Sequence, residues 1–371
     1  MKKNRIAIII TSVLIVIAAL LLWNNRYLSS LRGDAYDFTV RDTASVTRMF
    51  FADKSGNQVL LRRTENGWTV NDKYNAQPVM IDNILYTLDR LRIKMPVSLA
   101  SHDNVITNMA GTNTKVEIYQ IVPRINLFNK IKLFPREKLT KVFYIGDVTQ
   151  DNNGTYVLKE GADKAYIVHL HGFRGFISSR FSASQEDWRD HKIFSNEINE
   201  IASLKLEFNN QPEKSFIINE KGRYSYEMKY LDGSNIDFDT IKVLNLMTSF
   251  KDVRFEAFLT DIAESRRDSI INSPYQEKLT LTTKDGKSSV VTTYTMKINA
   301  DAFGFIEEDW DDDPDHKYAY IQNNDELVMI QEFAFGKFLK PAEYYKKGFV
   351  EPRRFIHLEE LEEIPSGSLP F

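Results

Sequence analysis

Apolar positions along the chain recur with two periods, and the periods succeed one another twice. From Val46, "VTRMFFADKSGNQVLLRRTENGWTV" alternates apolar and polar residues in short runs separated by polar clusters. That pattern predicts strand, turn, strand, tight turn, strand. "MIDNILYTLDRLRI", from Met80, then places Ile81, Ile84, Leu85, Leu88 and Leu91 at helical spacing. The same succession returns from Ile201 in "IASLKLEFNNQPEKSFIINEKGRYSY". It is followed by "FDTIKVLNLMTSF", where Ile241, Leu244, Met247 and Phe250 form the predicted stripe. Glu65-Asn66-Gly67 matches Glu220-Lys221-Gly222 as a tight-turn signal, with glycine supplying a positive φ. Asp82 and Asp239 lie near the two helix starts, where a carboxylate suits the free N–H groups.

A third segment repeats as well. "YVLKEGADKAYIVHLHGFRGFI", from Tyr156, aligns without a gap on "YAYIQNNDELVMIQEFAFGKFL", from Tyr318, so that Asp163 meets Asp325, Phe173 meets Phe335 and Phe176 meets Phe338. Three matches in one order imply an internal duplication. The expected architecture is α+β: an N-terminal transmembrane helix, then two similar antiparallel-sheet domains, each carrying one main amphipathic helix. The expected segments are residues 1–34 (anchor and linker), 35–190, 191–345 and a C-terminal tail, 346–371. The break is expected between Ser184 and Phe194.

The anchor expectation rests on Lys2, Lys3 and Arg5 ahead of an apolar run from Ile6 to Trp23. At about 1.5 Å per helical residue the run is roughly 27 Å long, close to the hydrocarbon thickness of a bilayer. A cleaved signal peptide would want a shorter run and an A-x-A pattern. The early cations place the N-terminus in the cytoplasm and the bulk of the chain in the periplasm, as a single-pass protein of the inner membrane.

One loop breaks the symmetry. In the second copy "EKLTLTT" joins "SVVTTYTMKI" through Lys284-Asp285-Gly286-Lys287. In the first, residues 121–139, "IVPRINLFNKIKLFPREKL", take that place. Cationic and apolar residues interleave there. Arg124, Leu127, Phe128, Lys130, Ile131, Lys132, Phe134 and Arg136 are the candidate contact residues for a membrane surface or a partner. A long hairpin packed on its own domain is the plainer alternative.

Bulk composition excludes more than it suggests. The 371 residues carry a net charge of −3 and no cysteine. No basic footprint points to nucleic acid, and disulfides, thiolate metal sites and a cysteine nucleophile are all absent. His169 and His171 fall on one side of a predicted strand, a spacing a metal can use. Their counterparts, Gln331 and Phe333, show that the fold does not need imidazole there. The acidic run Glu307–His316 fails the EF-hand spacing in either register. Neither a nucleophile elbow, nor H-E-x-x-H, nor a glycine-rich phosphate loop occurs. No catalytic residue, metal ligand or cofactor is assigned.

Phe143 to Phe181 with "DWRDHKIF" (Asp187–Phe194) resembles the bacterial family called domain of unknown function 4340, in its Bacteroidetes form. Ile145-Gly146, Gly154-Thr155-Tyr156, "IVHLHGFRGF", Trp188-Arg189 and Gly67-Trp68 carry the resemblance. It spans most of residues 40–260 and is weaker in the second copy, where Arg223 stands in place of Trp68. The resemblance implies an envelope protein without an assigned reaction, whose relatives are often linked to ABC-type transport systems of the gliding kind.

The expected function is therefore a membrane-anchored, extracytoplasmic, non-catalytic binding or scaffolding protein, accessory to an ABC-type transport or envelope complex. Its expected partners are the membrane, through residues 6–23, and a membrane-protein complex. The alternatives are an envelope-polymer hydrolase using carboxylates in an inter-domain cleft, or a glycan- or peptide-binding domain whose exposed aromatics, Trp68 and Trp310, line a groove.

Overall fold

The structure is a computed structural model that describes residues 10–18, 37–127, 131–260, 262–297 and 312–351. The expected N-terminal transmembrane helix is overturned: among the described residues no helix is long and apolar enough to cross a membrane. Of the run Ile6–Trp23, residues 10–18 form helix α1. Nine residues at about 1.5 Å each reach about 14 Å, half a hydrocarbon core. The rest of the run, the linker to residue 34 and the tail beyond residue 351 lie outside the described residues.

From residue 37 the chain is dominated by antiparallel sheet and divides into two compact units between Asp190 and His191. In the first, β1 (Val46–Ala52), β2 (Gln58–Thr64), β3 (Gly67–Val70) and β4 (Tyr74–Asn75) lead into α2 (Pro78–Arg90) and β5 (Leu91–Pro96). Helix α3 (Leu99–Thr112) precedes β6 (Thr114–Leu127), β7 (Ile131–Val148), β8 (Thr155–Lys159) and β9 (Ala165–Leu170). The sheet order is β4-β3-β2-β1-β6-β7-β8-β9-β5.

The second unit opens with β10 (Lys192–Phe194), β11 (Ile201–Phe208), β12 (Phe216–Gly222) and β13 (Ser225–Tyr230). Then come α4 (Thr240–Thr248), β14 (Val253–Arg254), β15 (Ala257–Phe258) and α5 (Glu264–Ile271). The unit closes with β16 (Glu277–Thr283), β17 (Ser288–Lys297), β18 (Asp312–Ile321), β19 (Glu326–Gln331) and α6 (Glu332–Phe335). Its main sheet runs β13-β12-β11-β16-β17-β18-β19-β15, while β10 and β14 pair separately. Without β4, the first sheet has the same order strand for strand.

Alternation along the strands decides which residues are buried. Met49 and Phe51 of β1, Val59 and Leu61 of β2, and Val116 and Ile118 of β6 point to one side and join the stripe of α2 in the main core of the first unit. Beneath α3 the opposite side of the sheet carries a smaller core, in which Val105 and Met109 meet Ala165, Tyr144 and Leu158. The second unit repeats both layers, with α4 over the main core and Ile270 of α5 beside Tyr294 and Leu327 on the other side. Each unit thus packs a helix on both sides of its sheet where the pattern predicted one main helix. Helix α3 buries only Val105 and Met109, and α5 only Ile270, too few to print a stripe on the sequence.

Other local expectations shift. Helix α2 starts at Pro78 behind Gln77, so Asp82 sits inside it, whereas Asp239 does cap α4, accepting from Ile241 N at 2.9 Å. That start turns the stripe of α4 to Val243, Leu246 and Met247, continued by Phe250, and leaves Ile241 exposed. Phe335 and Phe338 are core residues, but their counterparts Phe173 and Phe176 are partly exposed, while Ile177 and Phe181 are buried. In the second hairpin, strand pairing continues to Gly222↔Ser225, and Tyr224, rather than a glycine, takes the positive φ of 61°.

Trp188 closes the first unit. It is fully buried, its ring stacks on Phe51 at 5.2 Å, and its Nε1 donates to Ser182 O at 2.9 Å. Trp188→Ala removes the largest buried side chain and orphans that carbonyl. It is expected to lower the unfolding free energy by about 3–5 kcal/mol in urea titration. Tyr224→Asn relieves a left-handed backbone at a half-exposed ring and is expected to raise stability by up to about 1 kcal/mol.

Candidate functional site

The longest strands, β6 and β7, have 14 and 18 residues. Strand β1 accompanies β6 only as far as Gln120, and β8 accompanies β7 only from Phe143 onward. Beyond these limits the two strands pair only with each other, from Ile121↔Glu137 to Leu127↔Ile131. At about 3.3 Å per residue, the seven residues from Ile121 to Leu127 make a two-stranded arm roughly 20 Å long.

A β-bulge sets the arm's sides. The pairing is Ile118↔Lys141, then Tyr119↔Leu139, so Thr140 is an extra residue on β7. Thr140 is buried, and its hydroxyl donates to Gln120 Oε1 at 2.6 Å and lies 3.2 Å from Ile118 O. Directly opposed residues of an antiparallel pair share a side. Above the bulge Pro123 opposes Pro135, and Ile125 opposes Leu133. With Ile121 these form an apolar side. Val122 opposes Arg136, and Gln120 opposes Lys138, so the second side is cationic, and by alternation along β6 Arg124 joins it. Phe134 stands opposite Arg124 with φ 56°. Ile121, Leu133 and Phe134 are 42%, 44% and 65% exposed, and Arg124, Lys132 and Arg136 are exposed too.

Polar contacts fix the arm's base. Lys115 Nζ pairs with Glu117 Oε1 at 2.7 Å, Tyr119 OH donates to Glu117 Oε2 at 2.6 Å, and the Arg48 guanidinium lies 3.8 Å over the Tyr119 ring. Arg48 also pairs with Glu137 at 3.1 Å, and Glu137 accepts from the Thr47 hydroxyl at 2.7 Å. Burial pushes the Glu117 carboxyl up, but the hydrogen bonds from Lys115 and Tyr119 outweigh it and hold it below the usual glutamate range. Glu117 in turn raises Tyr119. On the arm itself, burial and then the neighbouring charge of Arg136 lower Lys138.

Of the eight candidate contact residues, Arg124, Lys132, Phe134 and Arg136 stand on this arm. Leu127 and Ile131 are paired through their backbones, while Phe128 and Lys130 lie outside the described residues. Ile121 and Leu133 belong to the exposed apolar set but were not among the eight. Their signal was the strict alternation in Lys130-Ile131-Lys132-Leu133, which assigns sides as soon as the segment is read as a strand.

The remaining candidates are dispersed. His169 lies in β9, where burial, Lys94 and His171 lower its pKa. Among the described residues no three His, Asp or Glu side chains group in a way that could hold a metal. Of the acidic run, Glu307–Asp311 lie outside the described residues. Asp312 pairs with Lys297 at 2.6 Å, and His316 lies between Asp313 at 3.0 Å and Glu256 at 3.3 Å. Trp68 is half-buried beneath the Arg63 guanidinium, 5.0 Å from its ring centre, and Trp310 lies outside the described residues. An open depression of about 490 Å³ in the second unit is lined by Asn196, Asn199, Lys284, Asp285, Lys287 and Ser289. Hydrogen bonds from Lys287 and Thr283 hold Asp285 far below the carboxylate range.

With this geometry described, the chain can be set against known proteins. Residues 113–270 match the family model described as Domain of unknown function (DUF4340). That segment belongs to the DUF4340 family. It runs from β6 of the first unit through nearly all of α5 in the second, and so contains the whole arm. No curated protein and no solved structure matches the chain.

The base contacts give a pH expectation. Glu117 is depressed in the folded state, so its contribution is present above the usual value of 4.5 and is lost as pH falls through the folded value. Urea titrations in acid are expected to show a shallower loss of stability below pH 4.5 for Glu117→Gln than for the parent chain.

Proposed function

We propose that the DUF4340 segment and its flanking strands form a non-catalytic binding module, with the β6–β7 arm as its contact element. One observation carries this reading: the arm holds exposed Ile121, Leu133 and Phe134 beside Arg124, Lys132 and Arg136, yet the main core of its unit takes nothing from it beyond Ile118 and before Phe143. Apolar surface kept in water without a folding role is characteristic of a contact. The sister loop supports the same reading, since β16 and β17 close through Thr283–Lys287 with no arm at all.

Service in a transport or envelope complex is the narrower form of the proposal, and its support is the family resemblance.

The test replaces residues 123–135 with Asn-Gly, which joins the opposed pair Val122 and Arg136 by a tight turn. Stability is expected to stay within about 0.5 kcal/mol. Proteins or membrane fragments that co-purify with the parent chain from gently disrupted cells are expected to be lost. An unchanged set of companions would remove the proposal.

A further inference from the structure

We infer that the arm docks on an anionic lipid surface, with its apolar side in the headgroup–acyl boundary and its cations on lipid phosphates. This deepens the reading of the arm as the contact element and rests on it.

The first argument is charge of a single sign. Residues 121–139 hold Arg124, Lys130, Lys132, Arg136 and Lys138 against one acid, Glu137, in a chain whose net charge is −3. Glu137 is already engaged by Arg48 and Thr47 at the base. The described cations therefore form a positive patch with no acid interleaved above the base. Arg136 and Lys138 stand two apart on one side of β7, and the charge of Arg136 reaches Lys138. A surface of mobile anions relieves that repulsion without any fixed arrangement of its own charges.

The second argument is the chemistry of the other side. Ile121, Pro123, Ile125, Leu133 and Pro135 offer no side-chain donor or acceptor. A protein partner is specified by satisfied hydrogen bonds at the rim and a shaped apolar pocket at the centre. A smooth apolar ribbon backed by long cationic side chains is what a fluid interface accepts, since Lys and Arg stems lie along apolar surface while their heads reach the phosphates. Phe134, 65% exposed and opposite Arg124, adds an apolar ring on the cationic side, among the cationic stems.

The test uses the full chain. It has no cysteine, so Leu133→Cys accepts a single environment-sensitive dye, and Lys54→Cys, in the β1–β2 turn, gives the control position. The dye reports the arm's own surroundings, whatever else holds the chain to a vesicle. With phosphatidylcholine vesicles containing phosphatidylglycerol, the dye at 133 is expected to shift to the blue and to be quenched by lipid-borne quenchers. The dye at 54 should stay in water. The triple variant R124Q/K132Q/R136Q should weaken the response roughly a hundredfold, about fivefold for each charge, and high salt should abolish it. A dye at 133 that stays in water, or that responds equally to vesicles of phosphatidylcholine alone, overturns the assignment. If it stays in water while removal of the arm still strips proteins from the purified chain, the arm docks on protein and only the lipid assignment falls. If neither signal depends on the arm, both readings fall.

Discussion

The arm depends on one additional residue. Because side chains alternate along a strand, a shift of one position in pairing moves every later side chain to the other side. Thr140 introduces that shift in β7. Without it, pairing would continue in the register Ile118↔Lys141, and Leu133 and Leu139 would move across to the side that holds Arg124. The bulge keeps Pro123 with Pro135 and Ile125 with Leu133 on one side, and Arg124, Lys132 and Arg136 together on the other. Its hydroxyl bonds to Gln120 Oε1 and lies within reach of Ile118 O, so the irregularity is held by side-chain chemistry as well as by backbone geometry.

Below the bulge the sheet follows an ordinary two-layer logic. The main core lies under α2 in one unit and under α4 in the other, and a second helix covers the opposite side only over the last strands. Trp188 shows how late sequence completes early structure. Read alone it is a turn residue, yet it stacks on Phe51 in β1 and ties the end of the first unit to its beginning.

What could be read from the sequence depended on how much apolar surface each element buries. Strands β1–β3 and helix α2 bury several large residues at regular spacing and were legible. Helices α3 and α5 bury two residues and one, and were not. The predicted stripe of α4 holds at Met247 and Phe250, and Leu244 packs half-buried against the core, but Ile241 is exposed while Val243 and Leu246 are buried, because these residues are about equally apolar. The N-terminal run shows the converse: its long apolar stretch predicts a spanning helix, and among the described residues no helix is long and apolar enough to be one. For the arm, alternation assigns sides within β7, but which residues of β6 share each side follows from pairing register, and register turns on a bulge at a threonine that nothing in the local composition marks.

The short turn between β16 and β17 has a wider meaning. It shows that this strand order closes without an extension, so the length and sequence of the extension in the first unit are free variables as far as folding is concerned. Above the base that Glu137 ties to Arg48 and Thr47, restriction on substitution would reflect demands other than closing the sheet, and the second unit serves as a built-in control against which it can be measured.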